Sequence, residues 1–161
     1  MTIMVYDLET IPDVATGRRL LNLPEAIDQE VADMLFEKQK EKNGTTFLPH
    51  YLQKIVAISI VAVNSKDIKV WSLGDLNSTE DQILQKFFRV IERYTPTLVS
   101  WNGSSFDMPV LHYRSLLHNV CSPRYWEDGS NDFQFKYNNY LGRYHKRHLD
   151  LMDVLPCYQK G

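Results

Sequence analysis

The hydrophobic pattern divides the chain into short apolar runs and amphipathic stretches. Residues 3–8, Ile3-Met4-Val5-Tyr6-Asp7-Leu8, read as a short, mostly apolar strand suited to a central position in a sheet. Ile11-Pro12-Asp13 is expected to break it. Pro24 is placed to open a helix. Across residues 25–42, Ile27, Val31, Met34 and Leu35 recur at helical spacing, and the lysine-rich end before Asn43-Gly44 stops the helix. Phe47-Leu48-Pro49-His50 is a loop. Ile55 to Val63 and Ile68 to Leu73 form two strands around the turn Asn64-Ser65-Lys66-Asp67, hence an antiparallel hairpin.

Ser78-Thr79-Glu80-Asp81 caps a helix whose buried stripe is Ile83, Leu84, Phe87, Phe88 and Ile91, and Pro96 closes that region. Thr97 to Trp101 is another strand. Asn102-Gly103-Ser104-Ser105 is a loop, and Phe106 to Leu117 a helix with Val110, Leu111 and Leu117 inward. Residues 121–145 are aromatic and irregular, a long loop with room for a short helix; His148 to Met152 reads as a last strand. A hairpin followed by helix–strand–helix predicts an α/β fold, a mixed sheet with helices on both faces.

Composition changes this picture little. The 161 residues suit a single domain with its own core, and 43% hydrophobic with 24% charged residues is ordinary for a globular chain. A net charge of −2 gives no global basic field, but a nuclease needs only a local basic path. Cys121 and Cys157 have no metal-ligand spacing, and no secretory signal or membrane-length apolar run is present. These features predict reduced thiols, a cytoplasmic location and no membrane partner. They leave the oligomeric state open.

The candidate chemistry lies in two acidic segments. On a strand, Asp7 and Glu9 project to one face, and two adjacent carboxylates need a cation between them or full solvation. Mg²⁺ or Mn²⁺ suits such oxygen ligands. The alternative is a pair of solvated acids at a strand end. Asp107 stands in Trp101-Asn102-Gly103-Ser104-Ser105-Phe106-Asp107-Met108-Pro109, in the first turn of a helix that follows a strand. It can act as a cap, or be carried over the strand ends beside Asp7 and Glu9.

The Asp-x-Glu opening and the Asn-Gly-x-x-Phe-Asp-x-Pro segment resemble the first two motifs of DEDD-type (DnaQ-like) 3′–5′ exonucleases. The second motif is most similar to that of the proofreading domain of family-B DNA polymerases. The whole chain resembles a stand-alone bacterial family of predicted 3′–5′ exonucleases related to that domain, through residues 6–13, 98–114 and 143–153. The resemblance implies a ribonuclease H-like fold and hydrolysis of phosphodiester bonds at the 3′ ends of single-stranded DNA by a two-metal mechanism. It assigns Asp7, Glu9 and Asp107 as catalytic metal ligands for Mg²⁺ or Mn²⁺, with Asp7 bridging. Leu8, Asn102 and Phe106 would lie near the terminal nucleotide, Leu8 and Phe106 offering faces on which bases stack. Phe106 is equally explained by core packing.

The family's third motif, Tyr-x-x-x-Asp on a C-terminal helix, does not follow Met152. The expectation is therefore a single exonuclease-like domain over 1–161 that is C-terminally incomplete, lacks that helix and one metal ligand, and has weak or no activity. His148 and Asp153 match the spacing of the rival His-x-x-x-x-Asp third motif, in which the His is a general base. Arg143, Lys146 and Arg147, with His145, form the most basic local cluster and could contact a phosphate backbone. Asp150 is a candidate cap or supporting residue. The reading from another class is a non-catalytic nucleic-acid-binding or scaffold domain derived from an exonuclease. The residues do not choose between DNA and RNA.

Overall fold

The computed structural model of the protein describes residues 2–159. Its five strands are β1 (Ile3–Pro12), β2 (Gln53–Val63), β3 (Ile68–Leu73), β4 (Thr97–Ser100) and β5 (His148–Asp150). They form one sheet in the order β3-β2-β1-β4-β5. The β3, β2 and β1 strands pair antiparallel, whereas β4 and β5 extend the sheet in parallel with β1. The helices are α1 (Val14–Leu21), α2 (Asp28–Asn43), α3 (Glu80–Tyr94), α4 (Asp107–Leu117) and the single turn α5 (Leu151–Val154). This mixed, helix-flanked sheet is a ribonuclease H-like α/β fold. No helix among the described residues is long and apolar enough to cross a membrane.

Strand alternation sets the core. Met4, Tyr6 and Leu8 of β1 and Ile58 and Ile60 of β2 are buried on one face. They meet Ile83, Leu84, Phe87, Phe88 and Ile91 of α3 and Val110 and Leu111 of α4 in one cluster. Tyr125, Phe135 and Tyr140 join the same cluster from the irregular segment after α4, which contains a short 3-10 turn at Phe133–Phe135. Burying an aromatic side chain removes large apolar area from water, and that keeps this otherwise irregular stretch in place.

Several boundaries differ from the sequence reading. The β1 strand runs through Ile11 and Pro12, because β2 continues as its partner to Gln53, with a register shift at Glu9/Thr10. The α1 helix lies where only a break is expected; Asp13 caps it by accepting from Thr16 N at 3.0 Å. Pro24 opens no helix, since α2 starts four residues later at Asp28. Leu117 is half-exposed rather than inward. The last strand stops at Asp150, whose carboxylate accepts from Met152 N and turns the chain into α5. The α3 and α4 helices share the core face, and α1 and α2 build a second small core with Val31, Leu35, Leu48 and Leu52. At Gly17 a Cβ would come within 2.8 Å of both Val31 and Leu35 side chains, so glycine sets the close approach of α1 to α2.

Candidate nuclease site

The β4 strand pairs with β1 only through Ile3–Val5, which leaves the edge of β1 beyond Val5 without a strand partner. The start of α4 fills that gap. Asp107 is its first residue, and its Oδ1 accepts the backbone N–H of Leu8 at 3.2 Å. The acid is thereby fastened between Asp7 and Glu9 along the chain. Asp107 is 3% exposed, whereas Asp7 and Glu9 lie on the open face of β1.

Burial, and then the charge of nearby Asp7, push the Asp107 carboxyl up to about 6, with a smaller push from Asp150. Its hydrogen bond from Leu8 N works the other way and does not win. A buried carboxyl held against other carboxylates is a donor set that a divalent cation fits, because a cation removes the repulsion and solvates the charge. Among the described residues, however, no group of three or more His, Cys, Asp or Glu side chains is gathered closely enough to hold one metal ion. Asp107 lies near enough to Asp7 for their charges to interact, while Asp7 and Glu9 both remain exposed on the strand.

The loop between β4 and α4 is built for a tight approach. Asn102 adopts the left-handed conformation with φ 60°, which asparagine tolerates. At Gly103 a Cβ would fall 2.0 Å from Ser100 Oγ and 3.3 Å from Tyr6 Oη, so no side chain fits. Asp150 then pins the loop from β5. Its Oδ1 accepts from Asn102 N at 2.8 Å and its Oδ2 from Ser104 N at 2.9 Å. Burial opposes the Asp150 charge, yet these N–H donors hold its carboxyl below the usual range. Asp150 thus fixes the loop that delivers Asp107.

The other residues singled out by the sequence have partners of their own, and His148, Asp153 and Arg143 line one cavity with Ser104, Ser105 and Met108 at the start of α4. His148 is buried on β5, its Nε2 2.8 Å from Ser100 Oγ, and burial pushes its pKa down. Asp153 lies on α5 and accepts from Arg143 Nη2 at 2.6 Å and Nε at 3.0 Å. His148 on the strand and Asp153 on the turn that follows it line the same cavity, where the Asp153 charge acts on the imidazole, and each also has its own partner. Arg147 stacks its guanidinium 3.9 Å from the Phe135 ring centre and donates to Asn138 O at 2.7 Å. Lys146 is exposed. Leu8 is buried in the core. Phe106 packs on the core edge, with Phe47 and His50 against its ring.

One buried ion cluster has no counterpart in the sequence reading. Arg114 of α4, 2% exposed, donates to Glu80 Oε1 at 2.8 Å and Oε2 at 2.5 Å, to Asp13 Oδ2 at 2.6 Å and to Tyr51 O at 3.0 Å. Glu80 also accepts from Ile55 N at 2.7 Å. Burial penalises these charges, yet the paired carboxylates hold the guanidinium above its ordinary pKa. The cluster ties α4 to the end of β1 and the start of α3. In the sequence Asp13 reads as part of a strand break and Glu80 as a helix-start acid, so nothing local reveals that they share a partner.

No curated protein sequence matches the chain. Residues 45–161 match the family model described as a predicted 3′–5′ exonuclease related to the exonuclease domain of PolB. That span holds Asn102, Phe106 and Asp107 and begins after Asp7 and Glu9. With that match over most of its length, a mixed, helix-flanked sheet and an acid fastened at the edge of the first strand, the chain belongs to this family of predicted 3′–5′ exonucleases.

Proposed function

We propose that the protein is a metal-dependent 3′–5′ exonuclease acting on the 3′ ends of single-stranded nucleic acid, DNA in the first instance. The observation that carries this reading is the Asp107 carboxyl. It is buried, raised to about 6 beside Asp7, and fastened to Leu8 N between the two acids of β1. A purely structural cap has no need of a like charge beside it.

Asp7 and Asp107 are the residues that would hold Mg²⁺ or Mn²⁺, with Glu9 the nearest further carboxylate along the strand. When bound, such ions activate water and stabilise the leaving 3′ oxygen. The chain's own part is to position. The Leu8 N–H orients one Asp107 oxygen, and Asp150 and Gly103 hold the preceding loop close to the strand. Arg114 locks the far end of α4 to the chain that leaves β1.

Incubation with Mn²⁺ or Mg²⁺ and a 5′-labelled single-stranded oligonucleotide tests the reading. The expected result is a weak ladder shortening from the 3′ end, lost in EDTA and in Asp107→Asn. Calorimetry with Mn²⁺ runs beside it. Absence of both cleavage and Mn²⁺ binding would overturn the enzyme reading and leave a nucleic-acid-binding domain derived from an exonuclease.

A further inference from the structure

The acids are flanked by a cluster of rings that the chemistry above leaves unused. Phe106, the residue before Asp107, has the Phe47 ring centre at 5.5 Å and the His50 ring centre at 6.1 Å, and Phe47 and His50 stand 6.5 Å apart. The cluster continues beside α4. Tyr51 follows His50 in the chain, and it meets Tyr113 of α4 edge-on at 6.2 Å. The residues that meet Phe106 and Tyr113, His50 and Tyr51, are thus consecutive, so the two groups adjoin.

Phe47, Tyr51 and Tyr113 are 54%, 47% and 50% exposed. Rings in mutual contact that stay half in water form a surface rather than a core. This surface is also fastened to the acid end of β1. Gln53 donates to Leu48 O at 3.0 Å, and Thr10 Oγ1 donates to Gln53 Oε1 at 3.0 Å, one residue beyond Glu9. Leu48 is sunk in the second small core, with Val31 and Leu35 of α2. The α1–α2 region therefore holds Phe47 and His50 in place against Phe106, the residue before Asp107.

We propose that Phe47, His50 and Phe106, continued by Tyr51 and Tyr113, form a base-stacking track for single-stranded nucleic acid leading to the acids. The occupant follows from the rings and their place: aromatic faces take bases of any sequence, and Phe106 directly precedes Asp107 in the chain. It rests on the nuclease reading for its polarity, with the 3′ end nearest Phe106. Unstacked bases are its ligand, whether the strand is DNA or RNA.

Fluorescence polarisation in EDTA, with 5′-labelled oligothymidylate and oligouridylate, measures binding without cleavage. Phe47→Leu keeps an apolar contact on Phe106 but removes the stacking face; Tyr113→Ala removes the distal ring. Each is expected to weaken binding about tenfold, and the double variant more. Tyr94→Ala, exposed at the end of α3, should bind as the unchanged protein does. An abasic strand should bind the unchanged protein no better than a normal strand binds the double variant. Unaltered affinity in the double variant, at an unaltered melting temperature, would overturn the track, as would equal binding of abasic and normal strands. Cleavage without ring-dependent binding overturns the track alone. Ring-dependent binding without metal-dependent cleavage upholds the track and overturns the exonuclease.

Discussion

The two faces of β1 have opposite fates. Met4, Tyr6 and Leu8 are 0%, 3% and 6% exposed under α3 and α4. Ile3 and Val5 on the other face are both 37% exposed, and Asp7 and Glu9 follow them in the same row. Their neighbours are apolar too: Val61 and Val63 pair with Val5 and Ile3, and Val70 and Ile68 of β3 continue the rows at 74% and 66% exposure. A period of two thus gives one strand a face that folds the domain and a face that offers carboxylates to solvent. Asp107 reaches the strand from its unpaired edge and is the one acid of the three that is buried. The lesson is one of division: core burial supplies rigidity on one side, so the other side can carry mutually repelling charges.

The largest expected effect lies on the covered face. Phe87 is fully buried and packs on Tyr6 at a ring-centre distance of 5.3 Å. Phe87→Ala should cost about 3–5 kcal/mol in chemical denaturation. A loss below about 1 kcal/mol would show that this face is not the core that holds β1.

The next effect separates the buried acid from the exposed ones. The Asp107 carboxyl is raised to about 6, above its ordinary 3.8, so the folded state holds that proton more tightly than the unfolded chain does. Its favourable contribution is complete below pH 3.8 and is lost as pH rises through about 6. Denaturation in EDTA should therefore show a fall of about 3 kcal/mol across that window relative to Asp107→Asn, which has no proton to lose. Near neutral pH the Asn variant should be the more stable protein. Mn²⁺ should raise the stability of the unchanged protein and leave the variant's unmoved. Parallel pH profiles for the two proteins would mean that Asp107 is not under the pressure its surroundings imply.

The smallest effect is expected on the open face. Val5→Thr, at a 37% exposed position, should change stability by about 0.5 kcal/mol or less. A cost several times larger would show that this face is covered in the protein in solution, and would erase the contrast between the two sides of the strand.

Much of this is legible in the sequence. The helical stripe Ile83, Leu84, Phe87, Phe88 and Ile91 is buried as its spacing requires. The hairpin of β2 and β3 turns at its Asn-Ser-Lys-Asp signal, where Asn64 Oδ1 accepts from Lys66 N and Asp67 N. The α1 helix was illegible, because a single eight-residue stretch, Val14–Leu21, holds a glycine and two arginines and has too few apolar positions to show a period. What makes it a helix is a cap from Asp13 and packing on α2 through Gly17, both of them contacts rather than patterns.

The same division holds at the site. The sequence by itself determined that Asp7 and Glu9 share a strand face and that Asp107 opens a helix after a strand, since both follow from backbone periodicity and capping chemistry. Only the tertiary structure decided that Asp107 closes the unpaired edge of β1, that Asp150 pins its loop from 46 and 48 residues away, and that Arg114 gathers Asp13 and Glu80 across separations of 101 and 34 residues. It alone set Phe47 and His50 against Phe106. Local rules reach as far as a turn or a strand. A carboxylate's burial, and hence its charge, depends on what the rest of the chain brings to it.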